Sequence, residues 1–268
     1  MIKKQILEYS QYHRNQFEIN FEPAFSTANR DAIHDMRVSI KRLRLLYRFL
    51  DFASEKQFYA NKKGKLLVEV FKSAGPLRDV QIQLSILGKL KEDLNVDYPE
   101  LNSFLNSKEN SGIEKFKKKG STFDLIQIKY LFNFSEAIMK IIIEFTDLQV
   151  TFDNYILNRL NIIKKTLKKP KQKIDFHRLR KRIKDLIYLY EIKNTNLGKY
   201  KEPLDLLKLL GKTLGVWHDI EVFSDKLNNK ESKKYLVPKN QFNLNIYLTE
   251  RKKALIEEFY RQKSEFFN

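Results

Sequence analysis

The chain has 268 residues and carries 51 Lys and Arg against 33 Asp and Glu, a formal net charge of +18. It contains no cysteine, which excludes disulfide bonds and thiolate metal sites. A hydrophobic content of 42% is enough for a packed core, and only 8 Gly and 6 Pro argue against a turn-rich β fold. The charge favours a polyanionic partner: nucleic acid, an anionic membrane surface or polyphosphate. Lysine-rich surfaces also serve solubility alone, so charge does not choose among these.

The sequence shows neither a signal peptide nor a membrane span. The chain starts with Met-Ile-Lys-Lys-Gln and continues into charged and polar residues, where a signal peptide would have an apolar stretch. The longest apolar run, residues 138–145, is interrupted by Lys140 and Glu144 and is too short to cross a bilayer. We therefore expect a soluble, cytoplasmic protein with no membrane insertion.

Apolar residues at helical spacing fill most of the chain, and no segment of useful length alternates as a strand would. The sequence therefore predicts an all-α fold. In chain order, the predicted helices are residues 4–22 (ended by Pro23), a basic helix to about Phe52 (capped by Asn29 or Asp31), 55–73, a run after Gly75 and Pro76 to about Leu90, 123–145 (capped by Ser121 or Thr122), 153–169, 174–193, 200–227 and 241–267. Pro99 and the polar residues 106–112 predict a loop within 91–112.

The basic helix carries a line of cations. At about 100° per residue, the spacing i, i+3, i+7, i+10, i+14 aligns His34, Arg37, Lys41, Arg44 and Arg48. Apolar residues flank this line on both sides, unlike an ordinary amphipathic helix, while Arg42 sits away from it, where we expect solvent. Crowded, partly desolvated cations repel one another, and a ligand with closely spaced negative charges would relieve that repulsion. The alternatives are a solvated charged face, or arginines paired with carboxylates of a neighbouring helix.

The second half of the chain repeats this pattern. At an offset of 143 (177 − 34), His34, Arg37, Lys41 and Tyr47 match His177, Arg180, Lys184 and Tyr190. At an offset of 140 (215 − 75), Lys72, Gly75, Arg78 and Asp79 match Lys212, Gly215, His218 and Asp219. Matched blocks in the same order predict two helical bundles, residues 1–147 and 148–268, related by an approximate two-fold axis. If both lines face one seam, they form a single basic central pore or groove.

At these residues the sequence resembles the CHAD family, the conserved histidine α-helical domain, whose hallmark is His-x-x-Arg-x-x-x-Arg/Lys once in each half. The resemblance covers nearly the whole chain and includes the Gly that precedes Arg-Asp, with His218 in the Arg position of the second copy. It implies two helical bundles with pseudo-two-fold symmetry, a basic central pore, binding of inorganic polyphosphate and a place on polyphosphate granules. We find no Glu-x-Glu-x-Lys motif of a triphosphate-tunnel domain, so we expect a stand-alone member.

The second copy departs from the family pattern. Ile187 and Tyr188 stand where family members often carry a basic residue and then Tyr, and Glu191 takes the place of Arg48. The second line is therefore less basic, and we expect the first half to bind more strongly.

The candidate polyphosphate-binding residues are His34, Arg37, Lys41, Arg44, Arg48, Lys72, Arg78, His177, Arg180, Lys184 and Lys212. Arg offers forked donors that match phosphate oxygens, Lys acts as a point charge, and His donates when protonated. Rival interpretations are internal ion pairs for the arginines, helix-packing histidines, and solvated lysines at positions 72 and 212. We interpret Asp79 and Asp219 as structural, and His13 and His218 as ordinary residues.

Catalytic signatures are missing from the sequence. We find no nucleophile–base pair, no glycine-rich phosphate loop and no His and carboxylate cluster at metal-ligand spacing. We therefore predict a binding protein with no catalytic residue, metal or cofactor. The alternatives are a nucleic-acid-binding protein, which would need exposed aromatic side chains among the cations, and an enzyme acting on polyphosphate. The sequence does not indicate an oligomeric state.

Overall fold

The computed structural model describes residues 2–194 and 201–267, and within these ranges the chain is helical and has no strand. This confirms the all-α prediction. In chain order the α-helices are α1 (Ile2–Thr27), α2 (Arg30–Ala53), α3 (Ala60–Lys63), α4 (Lys65–Ser73), α5 (Gly75–Leu94), α6 (Pro99–Gly120), α7 (Leu125–Phe145), α8 (Leu148–Leu167), α9 (Phe176–Asn194), α10 (Lys201–Leu227), α11 (Lys230–Lys233) and α12 (Pro238–Phe267). A 3-10 helix covers Lys171–Lys173. Residue 200, where we predicted a helix to start, lies outside the described residues.

The chain divides into two compact units that interleave along the sequence. Unit 1 comprises Met1–Arg78, Gly112–Ile162 and Tyr188–Gly198, and unit 2 comprises Asp79–Ser111, Ile163–Ile187 and Lys199–Asn268. Each unit therefore draws on both repeat copies. The division into halves at 147 and 148, with its two-fold axis and shared pore, stays a prediction of the repeat. Where the structure describes the chain, no helix is both long and apolar enough to span a bilayer.

Helix α1 runs through Pro23 to Thr27, so the prediction that it ends before Pro23 was wrong. Proline costs a helix one hydrogen bond and crowds the preceding turn. The helix nevertheless continues because Ala24 and Phe25, just beyond the proline, are buried in the core. The Pro23 carbonyl also accepts hydrogen bonds from Thr27 Oγ1 at 2.8 Å and from the Asn29 N–H at 3.2 Å.

Of the two candidate caps for α2, Asn29 is the one used. Its side-chain oxygen accepts the N–H groups of Asp31 and Ala32 at 3.0 and 2.9 Å. These are first-turn donors that have no partner within the helix. The cap fixes where α2 begins, and therefore which of its side chains face the core.

The predicted helix over 55–73 is two helices preceded by a turn. Glu55, Lys56 and Tyr59 have φ of 50°, 72° and 57°. This left-handed conformation is incompatible with a continuous right-handed helix. Helix α4 then ends at Ser73 and α5 begins at Gly75, which agrees with the predicted break at Gly75 and Pro76.

The loop predicted within 91–112 is confined to residues 95–98, so the part of it predicted at Pro99 and over 106–112 was wrong. Helix α6 starts at Pro99 and continues through the polar run 106–112, because proline is tolerated in a first turn and Leu101 and Leu105 are buried one turn apart. The cap of α7 is Asp124, whose carboxylate accepts the Ile126 N–H at 2.8 Å, and not Ser121 or Thr122.

Each unit has its own apolar core. In unit 1, Phe17 of α1 packs edge-on against Phe132 of α7, with ring centroids 5.5 Å apart. In unit 2, leucines and aromatic residues of α5, α6, α10 and α12 form one buried cluster that includes Phe223, Leu244 and Leu248. Of the two histidine helices, α2 lies in unit 1, and α9 up to Ile187 lies in unit 2.

Candidate functional site

Helix α2 is buried along the two sides that flank its line of cations. The predicted flanks are in the core, since Ile33, Ile40 and Leu45 are fully buried. Along the line, His34 and Lys41 are exposed, while Arg37, Arg44 and Arg48 are half-buried. We call His34, Arg37, Lys41, Arg44, Arg48 and Arg78 the α2 cluster. Partial burial raises the free-energy cost of holding like charges side by side, because less water screens them.

Three cations of the α2 cluster converge on the ring of Phe71 in α4. The Arg37 guanidinium lies 4.0 Å from the ring centroid, Lys41 Nζ lies 5.6 Å from it and Arg44 lies 6.0 Å from it. Arg37 Nη1 also donates to the Phe71 carbonyl at 2.6 Å. Cation–π and carbonyl contacts orient a guanidinium without cancelling its charge. Sequence analysis missed Phe71, whose role depends on α4 packing against α2.

The glycine–arginine element joins the α2 cluster at the start of α5. A Cβ built on Gly75 would lie 3.7 Å from Arg37 Nη1, so the backbone of α5 begins beside that guanidinium. Burial lowers the pKa of His34, and the positive charges of Arg78, Lys41 and Arg37 lower it further against the opposing effect of Asp35. The structure therefore brings the two motifs of the first copy together within unit 1.

The second copy builds a different cluster in unit 2. His177 Nδ1 of α9 lies 3.2 Å from His218 Nδ1 of α10. We call His177, Arg180, Lys184 and His218 the α9 cluster. Burial lowers the pKa of His218 to about 4, and Arg180, His177 and Lys181 lower it further than Glu221 can raise it. The pKa of His177 is also lowered, by burial and then by Lys181 and Arg180.

We had interpreted His218 as an ordinary residue, and the structure places its ring beside that of the motif histidine His177. His218 occupies the position that Arg78 has in the first copy, and like Arg78 it lies beside the motif histidine. The repeat match between Arg78 and His218 was the sequence signal that could have identified it.

Arg180 presents an unsatisfied donor in the α9 cluster. Its Nε is buried, and no acceptor among the described residues lies within hydrogen-bonding distance. A buried donor without a partner costs about 1–3 kcal/mol. Lys184 lies along α10, with its Cε 3.7 Å from where a Cβ on Gly211 would be.

The two repeat copies differ at two positions that lie in contact with each other. At the repeat offsets, Phe71 corresponds to Gly211 and Arg44 corresponds to Ile187. A Cβ on Gly211 would lie only 2.7 Å from Ile187 Cδ1, so an isoleucine packs against the glycine backbone where the first copy places an arginine near an aromatic ring. The second copy thus has one cation fewer and no aromatic ring at this position.

Three candidate binding residues remain: Lys72, Lys212 and Arg48. Lys72 of α4 and Lys212 of α10 are exposed, and Arg48 lies two turns beyond Lys41 on α2. Within residues 2–194 and 201–267, no group of three or more His, Cys, Asp or Glu side chains is placed to hold a metal ion.

We predicted that Arg42 faces solvent, and this prediction was wrong. Its Nε and Nη2 donate to the two carboxylate oxygens of Glu191 at 2.9 and 3.0 Å, and its guanidinium lies 4.9 Å from the Tyr188 ring centroid. The paired carboxylate raises the pKa of Arg42 despite the opposing effect of burial. Glu191, the repeat equivalent of Arg48, is therefore the partner of a half-buried arginine.

The CHAD domain family model matches residues 8–124, a segment that includes α2, Phe71 and the Gly75-to-Asp79 element. No curated protein matches the chain. Among solved structures, the CHAD domain from the plant Ricinus communis is similar with a TM-score of 0.76 at 14% identity, covering 99% of this chain and 91% of that one. PptA from Streptomyces chartreusis is similar with a TM-score of 0.62 at 11% identity, covering 98% and 99%. At these identities both structures establish likeness of fold.

Proposed function

We propose that this chain is a member of the CHAD domain family, whose model matches residues 8–124, and that it binds inorganic polyphosphate through the α2 and α9 clusters and catalyses no reaction on it. A linear polyphosphate carries a negative charge on each phosphate along one strand. Successive cations on a single helix face, about 4.5–6 Å apart along the axis, can contact such a polymer at several phosphates. Polyphosphate granules in the cytoplasm are the location that follows from this proposal.

The observation that carries the proposal is the convergence of Arg37, Lys41 and Arg44 on Phe71. These side chains are oriented by a ring and a carbonyl before any ligand arrives. Preorganised donors lose less side-chain entropy on binding than flexible surface lysines do. Arg180 supports the same interpretation in unit 2, because its positive charge lies close enough to His177 and His218 to lower the pKa of both.

The state of Phe71 argues against nucleic acid as the main ligand. Proteins that bind single strands without sequence preference stack bases on exposed aromatic rings. The Phe71 side chain is only partly exposed, and the Arg37 guanidinium is 4.0 Å from its centroid. A ring already engaged by a cation is a poor platform for a base.

Competition decides between the two ligand classes. Labelled long-chain polyphosphate bound to the full chain is displaced by unlabelled polyphosphate, single-stranded DNA or RNA at matched charge and ionic strength. We expect polyphosphate to displace the label at much lower concentration than either nucleic acid. Equal displacement by all three would contradict the proposal, and release of orthophosphate with Mg²⁺ would show an enzyme instead.

A further inference from the structure

Helix α7 has two apolar faces, and only one of them is in the core. Ile128, Phe132, Met139 and Ile143 are buried against unit 1. On the opposite side the large side chains are exposed: Ile126 by 78%, Tyr130 by 68%, Phe134 by 50%, Ile141 by 57% and Phe145 by 85%. Ala137 lies among them and is also exposed. We call these six residues the α7 stripe.

The α7 stripe has a symmetrical spacing. Its members, residues 126, 130, 134, 137, 141 and 145, follow one another at intervals of 4, 4, 3, 4 and 4, which reads the same from either end. Residues three and four apart share a helix face, so the stripe is continuous along the helix. A two-fold axis perpendicular to α7 between residues 135 and 136 would lay the stripe of one copy on that of another.

The side chains suit this antiparallel pairing. Ile126 would lie opposite Phe145 of the second copy, and Tyr130 opposite Ile141. At the centre the large Phe134 would lie opposite the small Ala137, which avoids a clash where the helices approach most closely. An isologous interface requires one patch that is complementary to itself, and this stripe meets that requirement.

The exposed area is also in the range that a dimer needs. Five large side chains, each offering on the order of 100–200 Å², approach the roughly 800 Å² per partner of a standard interface. Monomeric proteins rarely leave so large a contiguous apolar patch in water.

The rim of the stripe is locally neutralised despite the net charge of +18. Lys129 is 3.4 Å from Glu18, and Lys140 is 3.0 Å from Glu136. Lys63 of α3, with its Nζ 5.0 Å from the Phe134 ring centroid, adds a cation at the stripe, and the exposed Glu144 adds a carboxylate that offsets it. Like-charge repulsion between two copies is therefore smaller at this face than the net charge implies. The helix is also fixed in place, because Arg14 pairs with Glu136 and donates to Asn133 at 2.6 Å.

We propose that the α7 stripe is a homodimer interface in which two copies of this chain pack antiparallel through α7. The occupant is a second copy, not a lipid surface, since the paired rim lysines offer little attraction to anionic headgroups. The inference is independent of the proposed function.

The test uses the full chain and two single variants, Tyr130→Lys and Ile141→Glu, in sedimentation equilibrium over a wide concentration range. Wild type is expected to approach twice the 32.1 kDa of one chain, and each variant alone to stay monomeric, with a dissociation constant raised at least about 50-fold. Mixing the two variants is expected to restore a dimer, because the introduced lysine of one copy would then face the introduced glutamate of the other.

The control is Leu157→Glu on α8, an exposed apolar residue outside the stripe, which should dimerise like wild type. Thermal melts check that all variants fold. A wild type that remains monomeric, a dimer unaffected by the single variants, or variants that fail to pair when mixed would each overturn the proposal. Stripe-dependent binding of the monomer to anionic vesicles would identify a lipid surface and overturn it as well.

Discussion

Phe71 determines how the cations of α2 are held. The ring faces Arg37 at 4.0 Å, and its backbone carbonyl accepts from the same guanidinium. The Phe71 ring therefore helps to orient three of the six residues of the α2 cluster: Arg37, Lys41 and Arg44. The α9 cluster has Gly211 at the equivalent position and lacks that aromatic face.

Replacing Phe71 with Leu tests this role. Leucine keeps most of the apolar volume and the backbone carbonyl but removes the ring that orients Arg37. A cation–π contact is worth about 0.5–2 kcal/mol, so we expect polyphosphate affinity to fall roughly 3- to 30-fold at constant net charge. Fluorescence polarisation with labelled polyphosphate measures it.

The matched control is Phe52→Leu, an exposed phenylalanine on α2 that packs on Tyr155 instead of a cation. It should bind like wild type. If Phe71→Leu binds as tightly as the control, the ring does not organise the site.

His218 predicts a pH dependence of binding. Its pKa of about 4 means that the imidazole is neutral at pH 7, and a bound polyanion would raise that pKa. The complex then holds more protons than the free protein, so affinity should rise as pH falls from 8 to 6. His218→Arg supplies a permanent charge, as the first copy does with Arg78, and should bind more tightly at pH 8 with a shallower pH dependence.

The control adds one positive charge elsewhere in unit 2, as Ser103→Arg on the exposed side of α6. It should shift affinity slightly and leave the pH dependence unchanged. Identical pH profiles for wild type and His218→Arg would mean that this imidazole does not take up a proton on binding.

At the scale of whole helices, sequence spacing predicted α2 well because its pattern is dictated by one helix alone. Its apolar flanks follow from periodicity, and its Asn29 cap is one of the two that the sequence offered. The sequence-based predictions failed where contacts with neighbouring helices determine the structure. Helix α1 passes Pro23 because residues beyond it are buried, and α6 spans a polar run because two leucines a turn apart reach the core. Phe71 and the pairing of Arg42 with Glu191 depend on which helices pack together, which spacing does not encode.

The cap of α2 offers a test of how the element is positioned. Asn29→Ala removes the acceptor of two first-turn N–H groups and should lower the free energy of unfolding by about 1 kcal/mol. Asp31→Ala, the rival cap, removes only a favourable charge near the helix dipole and should cost about 0.3–1 kcal/mol. Urea denaturation of both variants measures the difference. A larger loss for Asp31→Ala would mean that the helix starts differently in solution.

For the molecule as a whole, the net charge of +18 raises the affinity for any polyanion, so affinity alone does not show where the ligand lies. A defined binding site differs from a general electrostatic attraction in the number of cations that neutralise phosphates at fixed positions and so release the counterions of those phosphates. The repeat predicts that both clusters line one cavity, and this stays a prediction. The clusters themselves differ, since the first has the ring of Phe71 and the second has the pair His177 and His218.

The salt dependence of binding counts the contacts directly. Each phosphate contact contributes close to one unit to the slope of log affinity against log salt, so Arg37→Ala combined with Lys41→Ala should lower that slope by about 1.5 and weaken binding at low salt. The control, Lys117→Ala with Lys118→Ala, removes the same charge from exposed positions on α6 and should leave the slope nearly unchanged. Because Arg37 bonds the Phe71 carbonyl, melting curves must first show that the double variant is folded. Equal slopes for both double variants would mean that the field of the whole protein, and not the α2 cluster, holds the polymer.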